Sequence, residues 1–145
     1  MRLSVLNGPN LNLLGTREPE IYGTATLADI ERMVREEAGG LGASVNWFQS
    51  NHEGELVEAV HALQDGADGA IINAAALSHT SLALRDAVLA VRPAFVEVHL
   101  SNVFAREPER RQSVLADLAV GVVAGFGPRS YILGVHALVT WLRAA

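Results

Sequence analysis

The chain has 145 residues, half of them hydrophobic, with 16 acidic residues against 11 basic ones and a formal net charge of −5. That length fits a single domain over residues 1–145 with a buried core, and the acidity argues against a general nucleic-acid surface. Cys is absent and every basic residue is Arg, which excludes disulfides, thiolate metal sites, Cys nucleophiles, Schiff-base lysines and a P-loop lysine.

The apolar start stops too soon, at Asn7-Gly8-Pro9-Asn10, to read as a secretory signal, and no apolar run is long enough to span a membrane. A cytoplasmic protein without membrane attachment is expected. Residues 3–6 read as a short buried strand that the turn residues behind it end. A stretch punctuated by Gly and Pro follows, from 11 to 24, of the length used by lids and binding loops. Thr26 before Leu27-Ala28-Asp29 resembles a capping box, and Leu27, Ile30, Met33, Val34 and Ala38 recur at helical spacing until Gly39, Gly40 and Gly42.

Residues 43–49, with Val45, Trp47 and Phe48, predict a second strand. Residues 53–64 predict a helix on the stripe Leu56, Val57, Val60 and Leu63. A third strand is expected at 69–73, a helix at 82–91 closed by Pro93, and a fourth strand at 94–99. The polar run 106–115 predicts no more than a short helical turn. A fifth strand at 119–124 and a last helix at 130–142 complete the pattern. Apolar strands alternating with helices imply an α/β fold, a doubly wound parallel sheet with helices on both faces. The flavodoxin-like order 2-1-3-4-5 is the natural arrangement, and it puts ligands beyond the carboxyl ends of the strands.

Polar residues stand at four such ends, residues 7–10, 49–52, 73–79 and 97–102. In the loop after strand one, Arg17 lies near Tyr22, and a guanidinium beside a phenol favours the phenolate, which can act as a general base; a solvated Arg and a surface Tyr are the alternative. At the end of strand four, Glu97 and His99 are two apart and share one face, with Val98 on the other. A carboxylate there suits His99 to act as a general acid, and a purely structural buried pair is the alternative. Asn73 and His79 bracket a small-residue loop after strand three, where Ser78 or Thr80 could instead serve only to cap the next helix. Leu100-Ser101-Asn102 could offer backbone N–H groups to a carboxylate, with Arg106 and Arg110 downstream as bidentate partners or as a solvated turn. No dinucleotide fingerprint or nucleophile elbow is present. His52, His79 and His99 lack a metal-ligand spacing.

Read together, these segments resemble the type II 3-dehydroquinate dehydratases. The opening run from Asn7 to Gly23 (NGPNLNLLGTREPEIYG) carries the family's first signature. Gln49 to Leu56 (QSNHEGEL), His79-Thr80-Ser81 with Ala83 to Ala87, and Glu97 to Asn102 with Ala105-Arg106-Glu107 match three further blocks in order and spacing. The resemblance implies elimination of water from 3-dehydroquinate without a cofactor or a metal, in aromatic biosynthesis or in quinate breakdown. It implies Tyr22 as the base, Arg17 on a mobile lid stabilising its phenolate, and Asn10 holding a water at the enolate. His99 protonates the departing hydroxyl, oriented by Glu97. Asn73, His79 and Arg110 hold ring hydroxyls, the backbone of Leu100 and Ser101 holds the carboxylate, and Asp86 reaches a neighbouring subunit's site. A homo-oligomer of trimers, four of which form a dodecamer, is also implied.

The chain departs from the family's usual pattern at Phe104, Pro108-Glu109, Gln112 and Val114, at Ala74 and Leu77, and at Pro128-Arg129-Ser130. The changes from Phe104 to Val114 motivate an alternative, a non-catalytic paralogue that keeps the fold for binding or assembly. A flavodoxin-like cofactor binder is the third reading.

Overall fold

The computed structural model describes residues 1–16, 20 and 23–145, so the candidate residues Arg17 and Tyr22 lie outside the described part. Five parallel strands form one sheet in the order β2-β1-β3-β4-β5: β1 (Arg2–Asn7), β2 (Ser44–Gln49), β3 (Gly69–Asn73), β4 (Phe95–His99) and β5 (Gly121–Ala124). The expected order is the one found. β5 starts two residues later than the periodicity suggests, because Ala119 and Val120 still belong to the turn leaving a 3-10 segment, Ala116–Leu118.

The helices are α1 (Leu27–Gly40), α2 (Glu53–Gly66), α3 (Leu82–Val91) and α4 (Arg129–Ala144). Thr26 and Asp29 close both bonds of a capping box at the start of α1. The cap of α3 differs from the expectation. Ser81, rather than Ser78 or Thr80, accepts from the Leu84 N–H, because residues 75–79 already turn as a 3-10 segment.

Alternation along the strands splits the core in two. Leu3, Val5, Ile71, Val96 and Val98 face Ile30 and Val34 of α1 and Tyr131, Val135 and Leu138 of α4. Leu6, Ala70, Ile72 and Phe95 face Leu56 and Val60 of α2 and Leu84 and Val88 of α3. Each such Val, Leu, Ile or Phe side chain contributes roughly 1.5–3 kcal/mol when fully buried, so the two layers supply most of the driving force. Among the described residues no helix is long and apolar enough to cross a membrane.

The strand register lines up the functional ends. Asn7 is level with Gln49 on one side and Asn73 on the other, and Glu97 is level with Ile72 and Val122. Gly8 must follow β1, because its N–H donates to the Asn73 carbonyl and a Cβ there would stand 2.4 Å from the Ala74 oxygen.

Candidate active site

A cleft partly open to solvent lies beyond the carboxyl ends of β1, β3 and β4. Asn10, Asn73, His79, His99, Leu100, Ser101, Arg106 and Arg110 all line it. Residues far apart in sequence, such as Asn10 and Asn73, therefore meet in one place, as the strand-end rule requires. Asp86 does not join them; it is exposed on α3 and does not line its own chain's cleft. His52 is the residue before α2, also outside the cleft.

The end of β4 carries the charged part of the site. Glu97 is 1 % exposed and His99 5 %. The His99 Nε2 lies 2.6 Å from Glu97 Oε2. Because an ionised carboxylate only accepts, Nε2 carries the hydrogen, and Nδ1 is the nitrogen left for another partner. The other oxygen, Oε1, accepts from the Ser113 hydroxyl at 2.6 Å. That direction is forced, since Ser113 Oγ already accepts from the N–H groups of Leu115 and Ala116, both at 3.1 Å. A buried carboxylate costs several kcal/mol where a Leu would stabilise. Both its oxygens are bonded, and stability alone gives no reason to keep it.

His79 stands beside this pair, its ring stacked on that of His99 with centroids 6.0 Å apart. Its Nδ1 is 2.7 Å from the Gln112 carbonyl, so Nδ1 is the donor and the neutral ring offers Nε2 as an acceptor. Gln112 acts here through its backbone, so this departure from the family pattern leaves the contact intact. Phe104 is 65 % exposed and does not line the cleft.

Arg110 donates to Glu107 at 2.8 Å, and the Arg106 guanidinium lies 3.6 Å from the same carboxylate. Pro108 starts the 3-10 turn that contains Arg110. The segment behind it is tied to α3 by Arg85, which donates to the Val114 carbonyl and to both oxygens of Asp117. That guanidinium holds the Asp117 carboxyl below the usual carboxylate range.

The end of β1 is held by β2. Asn10 adopts a left-handed backbone (φ 70°), which Asn tolerates, and its N–H donates to Asn51 Oδ1. The Gln49 amide donates to the same oxygen and to the Gly8 carbonyl. The strand-two end thus serves the cleft as a support for Asn10.

Two residues of the site were not singled out by sequence reasoning, Ser113 and Tyr131. Ser113 is 16 positions from Glu97, in a polar run with no motif of its own. Tyr131 lies on α4, where helical spacing marks it as core. Its hydroxyl nevertheless bonds both Asn73 and Asn7.

The family described as dehydroquinase class II matches residues 1–139. A 3-dehydroquinate dehydratase of Parasynechococcus marenigrum (strain WH8102) is 57 % identical over 143 residues, covering 99 % of this chain and 98 % of the relative. One from Azorhizobium caulinodans is 56 % identical over 138 residues, covering 95 % and 93 %. The crystal structure of a type II dehydroquinase from Butyrivibrio crossotus superposes with a TM-score of 0.92 at 38 % identity, covering 95 % of this chain and 97 % of that one.

Proposed function

The chain belongs to the class II dehydroquinase family, and from that premise we propose how its cleft residues divide the chemistry. The reaction is that of a hydro-lyase: water leaves 3-dehydroquinate and 3-dehydroshikimate forms. Tyr22, as phenolate beside Arg17, takes the proton from the carbon next to the ketone. The electron pair moves into an enolate, which a water on Asn10 stabilises. The enolate then re-forms the ketone and expels the hydroxyl on the far side of the new double bond. Hydroxide leaves poorly, so His99 delivers a proton to it and water departs. The buried Glu97 carboxylate steadies the imidazolium that this step needs.

The remaining groups hold the ring. Asn73 donates to a ring hydroxyl, and His79 and Arg110 bond others. The N–H groups of Leu100 and Ser101 meet the carboxylate. The observation that carries this reading is the joining in one cleft of Asn10, Asn73, His79, His99 and Arg110, with the buried Glu97 bonded to His99. Asp86, exposed on α3, completes the site of a neighbouring copy, in trimers that build a dodecamer in the cytoplasm.

The test is ultraviolet absorbance. Purified protein mixed with 3-dehydroquinate should produce the rising absorbance of a conjugated enone, and Tyr22→Phe should abolish it. Ligand binding in calorimetry without any absorbance change would instead support the non-catalytic paralogue. Light scattering checks the assembly: a mass other than twelve chains would exclude the dodecamer.

A further inference from the structure

Behind the cleft lies a buried chain of hydrogen bonds with no ionised member. Tyr131 is fully buried, as is Asn7, and Asn73 is 3 % exposed. The Asn7 Nδ2 donates to the Phe48 carbonyl at 3.0 Å, the Tyr131 hydroxyl donates to Asn7 Oδ1 at 2.6 Å, and Asn73 Nδ2 donates to the Tyr131 oxygen at 2.9 Å. Asn73 Oδ1 then accepts from the Ala75 N–H at 3.1 Å.

Amide side chains can turn over, but this chain cannot, because backbone groups of fixed character stand at both ends. The Phe48 carbonyl can only accept, so Asn7 must turn its nitrogen to it and its oxygen to Tyr131. That makes the phenol donate to Asn7 and leaves its oxygen as an acceptor for Asn73. From the other end, the Ala75 N–H can only donate, so it takes the Asn73 oxygen and turns the nitrogen toward the phenol. The two ends demand the same arrangement. Burial pushes the Tyr131 phenol above its ordinary pKa, which keeps the hydrogen that the chain needs.

We propose that Tyr131 is a positioning residue: together with the Ala75 N–H it holds Asn73 in one orientation, so that substrate meets a donor N–H there. One Nδ2 hydrogen is committed to the phenol, and Oδ1 is already shared with Ala75. The second Nδ2 hydrogen is the donor left on a side chain that lines the cleft. The substrate oxygen at this position must therefore accept. Tyr131 thereby contributes to choosing which hydroxylated rings fit, without touching them. This inference rests on the reading of Asn73 as a substrate-holding residue.

A double-variant cycle tests it. Tyr131→Phe removes one oxygen and keeps the ring against Trp47, 5.9 Å away between centroids. Asn73 then keeps only its bond to the Ala75 N–H and is less firmly held, and KM for 3-dehydroquinate should rise about fivefold to tenfold, the worth of one neutral hydrogen bond, with kcat nearly unchanged. Asn73→Ala should raise KM at least as much, and adding Tyr131→Phe to it should change KM no further. If Asn73→Ala raises KM but Tyr131→Phe does not, Tyr131 has no such role. An equal rise on Tyr131→Phe in both backgrounds would also overturn the proposal, since the effect is then general. If Asn73→Ala leaves KM unchanged, the substrate-holding reading of Asn73 fails first and takes the inference with it.

Should Tyr131→Phe fail to fold, the wild-type enzyme labelled with nitrogen-15 at Asn decides the matter. On adding 3-dehydroshikimate, one of the two Asn73 side-chain amide protons should shift and the other, on the phenol, should stay. Equal movement of both would refute the positioning role.

Discussion

The ends of β3 and β4 are neighbours in the sheet and bury polar side chains to nearly the same depth, yet they are built from different chemistry. At β4, Glu97, His99 and Ser113 form a line in which a proton can be gained or lost. At β3, Asn73, Tyr131 and Asn7 form a line whose members stay neutral. The contrast follows from the two tasks. A residue that delivers a proton must change charge during turnover, so it needs a partner able to stabilise the charged form. A residue that only orients a ring must not change, and amides between backbone groups keep one polarity at every working pH. The charged line is the costlier to bury, which marks it as the catalytic one.

Substitutions should therefore separate kinetically, with kcat affected at β4 and KM at β3. His99→Asn should have the largest effect, lowering kcat about a thousandfold, the usual worth of a general acid, with little change in KM. A comparable rise in KM would mean that His99 binds more than it protonates. Glu97→Gln comes next. It removes the charge while keeping the shape, and a charge-assisted bond of about 1.5–3 kcal/mol predicts a kcat roughly tenfold to a hundredfold lower. A rate equal to wild type would reduce Glu97 to a structural group.

Ser113→Ala should lower kcat about threefold to tenfold, because Glu97 loses one of its two anchors but keeps its charge. If this variant raised KM instead, the distinction between the two lines would collapse. The smallest effect is expected at the neutral end. Ala75 donates to Asn73 from a left-handed backbone (φ 53°), a conformation that costs a Cβ-bearing residue about 1–2 kcal/mol. Ala75→Gly relieves that strain, keeps the N–H, and adds some freedom to the unfolded chain. A net stabilisation of about 0.5–1 kcal/mol should appear as a higher melting temperature with unchanged kinetics. A lower melting temperature would mean that the methyl group packs usefully.

Much of the molecule is legible in the amino-acid order. Glu97 and His99 can be placed together because a strand turns every second side chain to one face, and the spacing lies within one element. The same locality reveals the capping box at Thr26, the α2 stripe and the alternation that demands a parallel sheet. Asn10, Asn73 and His79 can be brought together as well, since a doubly wound sheet brings its strand ends together whatever the intervening helices contain, while Arg110, beyond the end of β4, is placed there by the family resemblance. The cap of α3 is not legible in this way. Ser78, Thr80 and Ser81 all have suitable side chains, and only the 3-10 turn over Ala75–His79 decides which one reaches the helix start.

Amino-acid order alone thus determined the elements, their layering and the side chains at the mouth of the cleft, because each depends on a period of two or 3.6 residues, or on a motif, within one stretch of chain. Only the tertiary structure decided which hydrogen of which amide faces that cleft. Tyr131 reaches partners 58 and 124 positions away, and His79 meets a backbone carbonyl whose side chain is irrelevant. Such contacts have no period, since they arise where separate crossovers of the sheet end at the same height.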